Sequence, residues 1–349
     1  MNDELRARRP LLGRVGIRVA ASAVGLAGVG ILLAQSGAAE VAEGAERALP
    51  WLPVLMAVEA ARIGAELLAG RSLLGADATR VRWGSLIRLH LIAYCVSVVT
   101  PAGRAAAEAT KAVLLARRVA APVAWALAGT NQMLSLCAEA ALSLLALAAA
   151  LLFTKTTLLC WALLGHALLC CALAIALRRV LISERAQAWL RRVRSLECAV
   201  PAFRSAVREQ RLLRPALWFF AGKSLQLVLL TLLFHAVGAG LALERVFLVQ
   251  GLNVVASVLG DLVPAQLGTT DGVFAWGAAS IGVSTSAALS VSLLLHGVQL
   301  VWVAVGALTP LLWPDEESLP GRVHVVTGAA RVEAQVGIVA VRAGAAVQE

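Results

Sequence analysis

The sequence predicts an all-α fold: a polytopic transmembrane helix bundle with about eight spans plus two short interrupted or re-entrant helical segments. Three observations predict it. Of 349 residues, 60% are hydrophobic and only 15% are charged, against about 25% charged in an average soluble domain. The apolar residues also come in blocks long enough to cross a bilayer, which takes roughly 20 residues. Finally, no extended run alternates as the strands of a membrane barrel do.

The first span is expected over 15–35, behind a basic terminus (1–14) carrying Arg6, Arg8, Arg9 and Arg14. Small residues after it imitate a secretory signal, but the apolar run is longer than a signal core, so an uncleaved span is expected. An acidic loop with Glu40, Glu43 and Glu46 follows, then a span over 50–70. The next loop is basic, with Arg71, Arg80, Arg82 and Arg88. Lys and Arg favour the cytoplasmic side, which places the N-terminus and this loop inside. The third span, 85–100, stops at Pro101. Further spans are expected over 119–153, 157–177, 215–237, 246–263 and 285–313. Between 178 and 214 lie ten arginines, read as a cytoplasmic amphipathic insert on the inner membrane surface. The tail, 314–349, shows no strong pattern and is expected to be cytoplasmic and weakly ordered. The net charge of +10 sits mainly in such loops, so topology accounts for it and no nucleic-acid partner is expected. Five of the six cysteines lie in apolar stretches without metal or disulfide spacing, and no metal or cofactor is expected.

The two short segments, 101–118 and 265–283, resemble each other. Pro101-Ala102 opens one and Pro264-Ala265 the other. Seven residues after each proline stands an acid, Glu108 or Asp271, and a long apolar helix follows. The copies, from Pro101 to Pro264, are 163 residues apart. With basic loops inside, the preceding spans run in opposite directions, so the pair reads as an inverted repeat of the kind found in transporters; the other reading is coincidence, since Ala and Gly are abundant and proline ends helices generally. Each proline lacks a backbone donor and pushes Thr100 or Val263 out of helical geometry. A broken backbone at membrane depth requires a protein-lined or watery cavity, and the N-terminus of each new helix would attract an anion there.

Polar residues within spans supply candidates for a substrate site, since intramembrane charges face a cavity or a partner. These are Arg62, Pro101, Arg104, Glu108, Lys111, Asn253, Asp261, Pro264, Gly268, Asp271, His296 and Gln299. Other readings stand beside the functional one. Glu59, Arg62 and Glu66 share one helix face and also suit a structural ion cluster. Lys223 suits snorkelling to the interface, Asn253 and Ser257 suit interhelical hydrogen bonding, and His296 suits packing.

The run Val99-Thr100-Pro101-Ala102-Gly103-Arg104 with Glu108, Lys111 and Leu114-Leu115-Ala116-Arg117-Arg118 resembles a signature of the lysylphosphatidylglycerol synthase transmembrane region and its stand-alone flippase-like relatives. The run from Val263 to Gly272 is similar to the second signature, and the resemblance covers roughly 15–313. It implies an inner-membrane protein that moves or handles lipids or lipid-linked molecules between leaflets. The departures are Ala265-Gln266 in place of a glycine pair, Asp271 in place of Glu, Lys111 in place of Arg, neutral Asn131-Gln132 in place of an acid–base pair, and His296 in place of a frequent arginine.

The expected partners are membrane lipids, an anionic phospholipid or a lipid-linked head group, with a lipid-synthesis enzyme as a further partner. No aminoacyl-transferase domain, catalytic motif or phosphate-binding glycine loop is recognised, so the chain is read as a non-enzyme. The alternatives are a membrane transferase acting on a lipid-linked substrate and a non-catalytic scaffold.

Overall fold

The computed structural model describes residues 27–100, 102–153, 157–183, 211–260 and 263–313. Pro101, Asp261, the terminus 1–14, the tail 314–349 and most of the 178–214 insert lie outside the described residues. Among the described residues there is no strand.

The chain forms α1 (Ala27–Ser36), α2 (Ala38–Ala48), α3 (Leu52–Leu73), α4 (Trp83–Val99), α5 (Gly103–Leu115), α6 (Ala121–Phe153) and α7 (Thr157–Ile182). After the insert come α8 (Leu213–Ala236), α9 (Leu243–Gly260), α10 (Thr269–Ile281) and α11 (Thr285–Leu312). Four of these, α6, α7, α8 and α11, are long and apolar enough to cross a membrane by length and composition. The shorter helices α1, α4 and α9 are apolar as well. The chain is therefore a multi-pass helical membrane protein.

The segment expected as an acidic loop is the helix α2. Val41, Gly44 and Ala48 form its buried stripe, spaced as one helix face requires. Glu40 in the first turn and Arg47 in the last suit the helix dipole. A Cβ on Gly44 would lie 2.7 Å from Ser290 Oγ, and that hydroxyl donates to the Val41 carbonyl at 3.2 Å. Glycine here lets α2 lie close against α11.

Two apolar clusters hold the bundle. One joins Leu55 of α3 to Ala146 and Ala150 of α6, Leu159 and Leu163 of α7, Leu230, Leu233 and Phe234 of α8, and Val291 and Leu295 of α11. The other joins Leu67 and Leu73 of α3 to Leu86 and Leu89 of α4, Leu127 and Leu134 of α6, Ala174 of α7 and Phe219 of α8. Helices α3, α6, α7 and α8 thus contribute to both clusters, one at each end, and burial of this apolar surface among neighbouring side chains gives the bundle its packing.

The interrupted segments divide differently. Leu115 at the end of α5 returns to the same cluster as Leu86 and Leu89 of α4. Leu248 and Leu252 of α9 share the opposite cluster with Phe274 and Ile281 of α10. Each pair is therefore a hairpin entering from one end of the bundle, and the two enter from opposite ends. Helices α4 and α9, expected as two of the eight spans, are shorter apolar helices that each end at a break, after which the chain turns back into α5 or α10.

The 163-residue offset also carries α3 onto α8, α4 onto α9, α5 onto α10 and α6 onto α11. Packing follows the same correspondence. Helix α3 lies along α8, α4 lies against α11, and α9 lies against α6. Glycine permits both cross-contacts: Gly306 of α11 meets the Leu91 carbonyl, and a Cβ on Gly251 of α9 would lie 3.1 Å from Ala146 Cβ.

Candidate functional site

The two breaks share one backbone path. Thr100 is extended at φ −101°, ψ 145°, and Val263 at φ −100°, ψ 123°. The residue after each proline is left-handed: Ala102 at φ 51° and Ala265 at φ 54°. Proline restricts the residue before it, as expected; the left-handed alanine then turns the chain back on itself.

Gly103 begins α5 with its backbone against the Ser97 carbonyl, leaving no room for a Cβ. At the second break Gly268 has φ 80°, a conformation glycine adopts at little cost, and its N–H donates to Asp271 Oδ2 at 2.8 Å.

Between the two breaks lies a cavity of about 450 Å³. Its walls include Thr100, Ala102, Gly103, Val263, Ala265 and Gln266 from the turns. The other walls are the middles of the long helices: Glu59 to Glu66 on α3, Gln132 to Glu139 on α6, Lys223 and Gln226 on α8, and His296 and Gln299 on α11. On α3 and α8 this polar stretch falls between the part in one apolar cluster and the part in the other, while on α6 it interleaves with Met133, Leu134 and Ala138 of one cluster. The bundle is thus layered apolar, polar, apolar along its length.

Four carboxylates line the cavity, Glu59, Glu66, Glu108 and Glu139, with four cations, Arg62, Arg104, Lys111 and Lys223. Arg62 grips Glu59 with two bonds of 2.8 and 2.7 Å and reaches Glu66 at 2.7 Å. Tyr94 of α4 donates its hydroxyl to Glu59 at 2.8 Å, joining α4 to α3. Glu139 accepts from Arg104 at 3.0 Å and from Lys223, tying α5, α6 and α8 together. Glu108 accepts from Lys111 at 2.8 Å and from Asn131 of α6 at 2.7 Å. Charges buried among apolar helices require such partners.

Of the sequence-expected residues, Arg62, Arg104, Glu108, Lys111, Asn253, His296 and Gln299 meet at this cavity. Pro264 opens the second turn, while Gly268 and Asp271 stand behind the wall. Asp271 is fully buried, accepts from Ser292 of α11 at 2.5 Å, and lies 3.4 Å from His296 Nε2. It caps its own helix, so the second helix N-terminus already holds a carboxylate where an incoming anion was expected. Glu108 and Asp271 nevertheless match: each ties its short helix to the long helix that follows, through Asn131 or Ser292.

Lys223 faces the cavity and pairs with Glu139, so it does not snorkel to an interface. Sequence reasoning passed over Glu139, although it is the single acid in the apolar run of α6. Ser143 and His166, joined at 2.7 Å, extend the polar layer from α6 to α7. Among the described residues, no group of three His, Cys, Asp or Glu side chains has a metal-binding arrangement.

No curated protein and no solved structure matches the chain. A model of the lysylphosphatidylglycerol synthase TM region matches residues 16–306, and the chain therefore belongs to that family.

Proposed function

We propose that this chain moves lipids or lipid-linked molecules between the two leaflets of the bacterial inner membrane, as a flippase-like protein without enzymatic activity. The carrying observation is the charged cavity halfway along α3, α6 and α8, walled by both broken hairpins. A polar site at mid-depth, formed by interrupted helices, is the arrangement a carrier of polar groups requires. The head group enters this layer while the acyl chains remain among the apolar helix faces. The two hairpins, as halves of an inverted repeat, act as gates from opposite sides.

In this topology the first span, α3, α6, α7, α8 and α11 cross fully. The loops bearing Arg80, Arg82, Arg117 and Arg118 face the cytoplasm, as do both termini, in keeping with the bias of basic residues. The acidic α2 lies on the outer side.

The test is reconstitution into liposomes carrying fluorescent and aminoacylated lipids. A translocase changes which leaflet exposes the lipid and leaves the molecule unaltered. Exchange no faster than in protein-free liposomes overturns this reading, and appearance of a new lipid product establishes a transferase instead.

A further inference from the structure

We propose that the head group accepted by this cavity is a polyol, a sugar or inositol ring carried on a lipid. This deepens the reading of the cavity as a lipid head-group site and rests on it. The charged residues supply the first part of the argument. The four cations lining the cavity are each bonded to one of its carboxylates. A charged head group would have to compete for ions that are already paired, and drawing a cation fully away would leave its carboxylate buried with fewer partners, which is unfavourable. The ion pairs therefore shape the cavity and leave little charge for a ligand.

What remains for a ligand is mostly neutral. Among the described residues, the side chains of Gln132, Asn253, Gln266 and Gln299 line the cavity without a hydrogen bond to protein. They come from α6, α9, the second break and α11. Asn253 is only 6% exposed, and Gln132 Oε1 is buried without a partner. Thr270 Oγ1 and Glu108 Oε2, also on the wall, are buried acceptors in the same condition. Buried polar groups left unpaired are costly, so atoms in this state mark where a ligand's atoms belong. Each amide offers two N–H donors and a carbonyl acceptor. A hydroxyl both gives and takes a hydrogen bond, so neighbouring hydroxyls on a ring match such a wall. A phosphate alone offers only acceptors, and an ammonium only donors. The volume of about 450 Å³ falls within the range of small-molecule pockets.

The experiment measures binding to the full chain in nanodiscs by native mass spectrometry. Phosphatidylinositol is compared with phosphatidate, which carries the phosphate without the ring, and glucosyl-diacylglycerol with diacylglycerol. Each ring-bearing lipid is expected to be retained about tenfold better than its counterpart, the worth of one or two hydrogen bonds. Asn253→Leu and Gln299→Leu, tested singly, should each reduce that preference severalfold with phosphatidate binding unchanged, which shows that the variant is folded. Equal retention of phosphatidate and phosphatidylinositol overturns the proposal, as does a preference undiminished in both variants. Methyl glucoside binding as tightly as glucosyl-diacylglycerol assigns the site to a free sugar and overturns the lipid-borne form. Binding is read at equilibrium without transport. A failed leaflet-exchange assay with intact ring preference therefore removes translocation alone, and exchange without ring preference removes this proposal alone.

Discussion

Ala102 and Ala265, 163 residues apart, each follow a proline and each occupy the left-handed region at φ 51° and 54°. A side chain there costs about 1–2 kcal/mol, and glycine avoids that cost. Gln266, at φ 55°, repeats the strain. Ala265 and Gln266, where the family resemblance implies a glycine pair, thus stand in conformations that glycine adopts most easily.

Ala102→Gly and Ala265→Gly are expected to stabilise the folded chain by about 1 kcal/mol each in their turns, part of the relieved strain being offset by the greater freedom of glycine when unfolded. Ala102→Val should do the reverse, since a branched side chain tolerates this region poorly. Thermal unfolding in detergent, comparing the three variants, checks the direction.

The buried Glu139–Lys223 contact should respond unequally to single and double changes. Glu139→Gln leaves Lys223 buried without its counter-ion and is expected to cost roughly 3–5 kcal/mol, whereas Lys223→Met leaves Glu139 paired with Arg104 and should cost less. Glu139→Gln combined with Lys223→Met should regain much of that loss, tempered by Arg104, which loses its ionic partner Glu139. A double-mutant cycle on unfolding midpoints gives the coupling, and leaflet exchange should stay low in the double variant despite recovered stability.

Asp271 is expected to act on the second hairpin alone. Asp271→Ala removes the acceptor for the Gly268 N–H and for Ser292, and a lost cap of this kind costs about 0.5–2 kcal/mol. Amide exchange should rise in α10 and remain unchanged in α5. Equal loosening of both hairpins would contradict the local role.

Gly103→Ala should disturb the first hairpin most sharply, because the added methyl meets the Ser97 carbonyl. Overpacking of this kind costs about 1–3 kcal/mol. A cysteine cross-link between the α4 and α5 arms, formed readily in the parent, should form slowly in this variant.

Much of this architecture was legible in the residues. Pro101 and Pro264 marked both breaks, and Arg62, Arg104, Glu108, Lys111 and Asn253 identified walls of the cavity. Local signals suffice there, because proline and an intramembrane charge each have few acceptable surroundings. The direction of the chain after each break was not legible, since it depends on which distant leucines Leu115 and Phe274 meet. Glu139 was overlooked because one acid barely changes the apolar character of a 33-residue helix. Only the convergence of Arg104 and Lys223 from α5 and α8 reveals its role. Asp271 looked like a pocket residue from its place in the motif, whereas Ser292 and the Gly268 amide draw it inward.

The equal number of acids and bases around the cavity has an electrical consequence. The membrane voltage does work only on net charge carried through the field, about 2.3 kcal/mol per unit charge per 100 mV. With the four carboxylates and four cations ionised, rocking this layer as a body displaces almost none. A movement of this layer as a body is therefore expected to respond little to the membrane potential, and any voltage sensitivity measured in the proposed leaflet exchange would report the charge of the lipid.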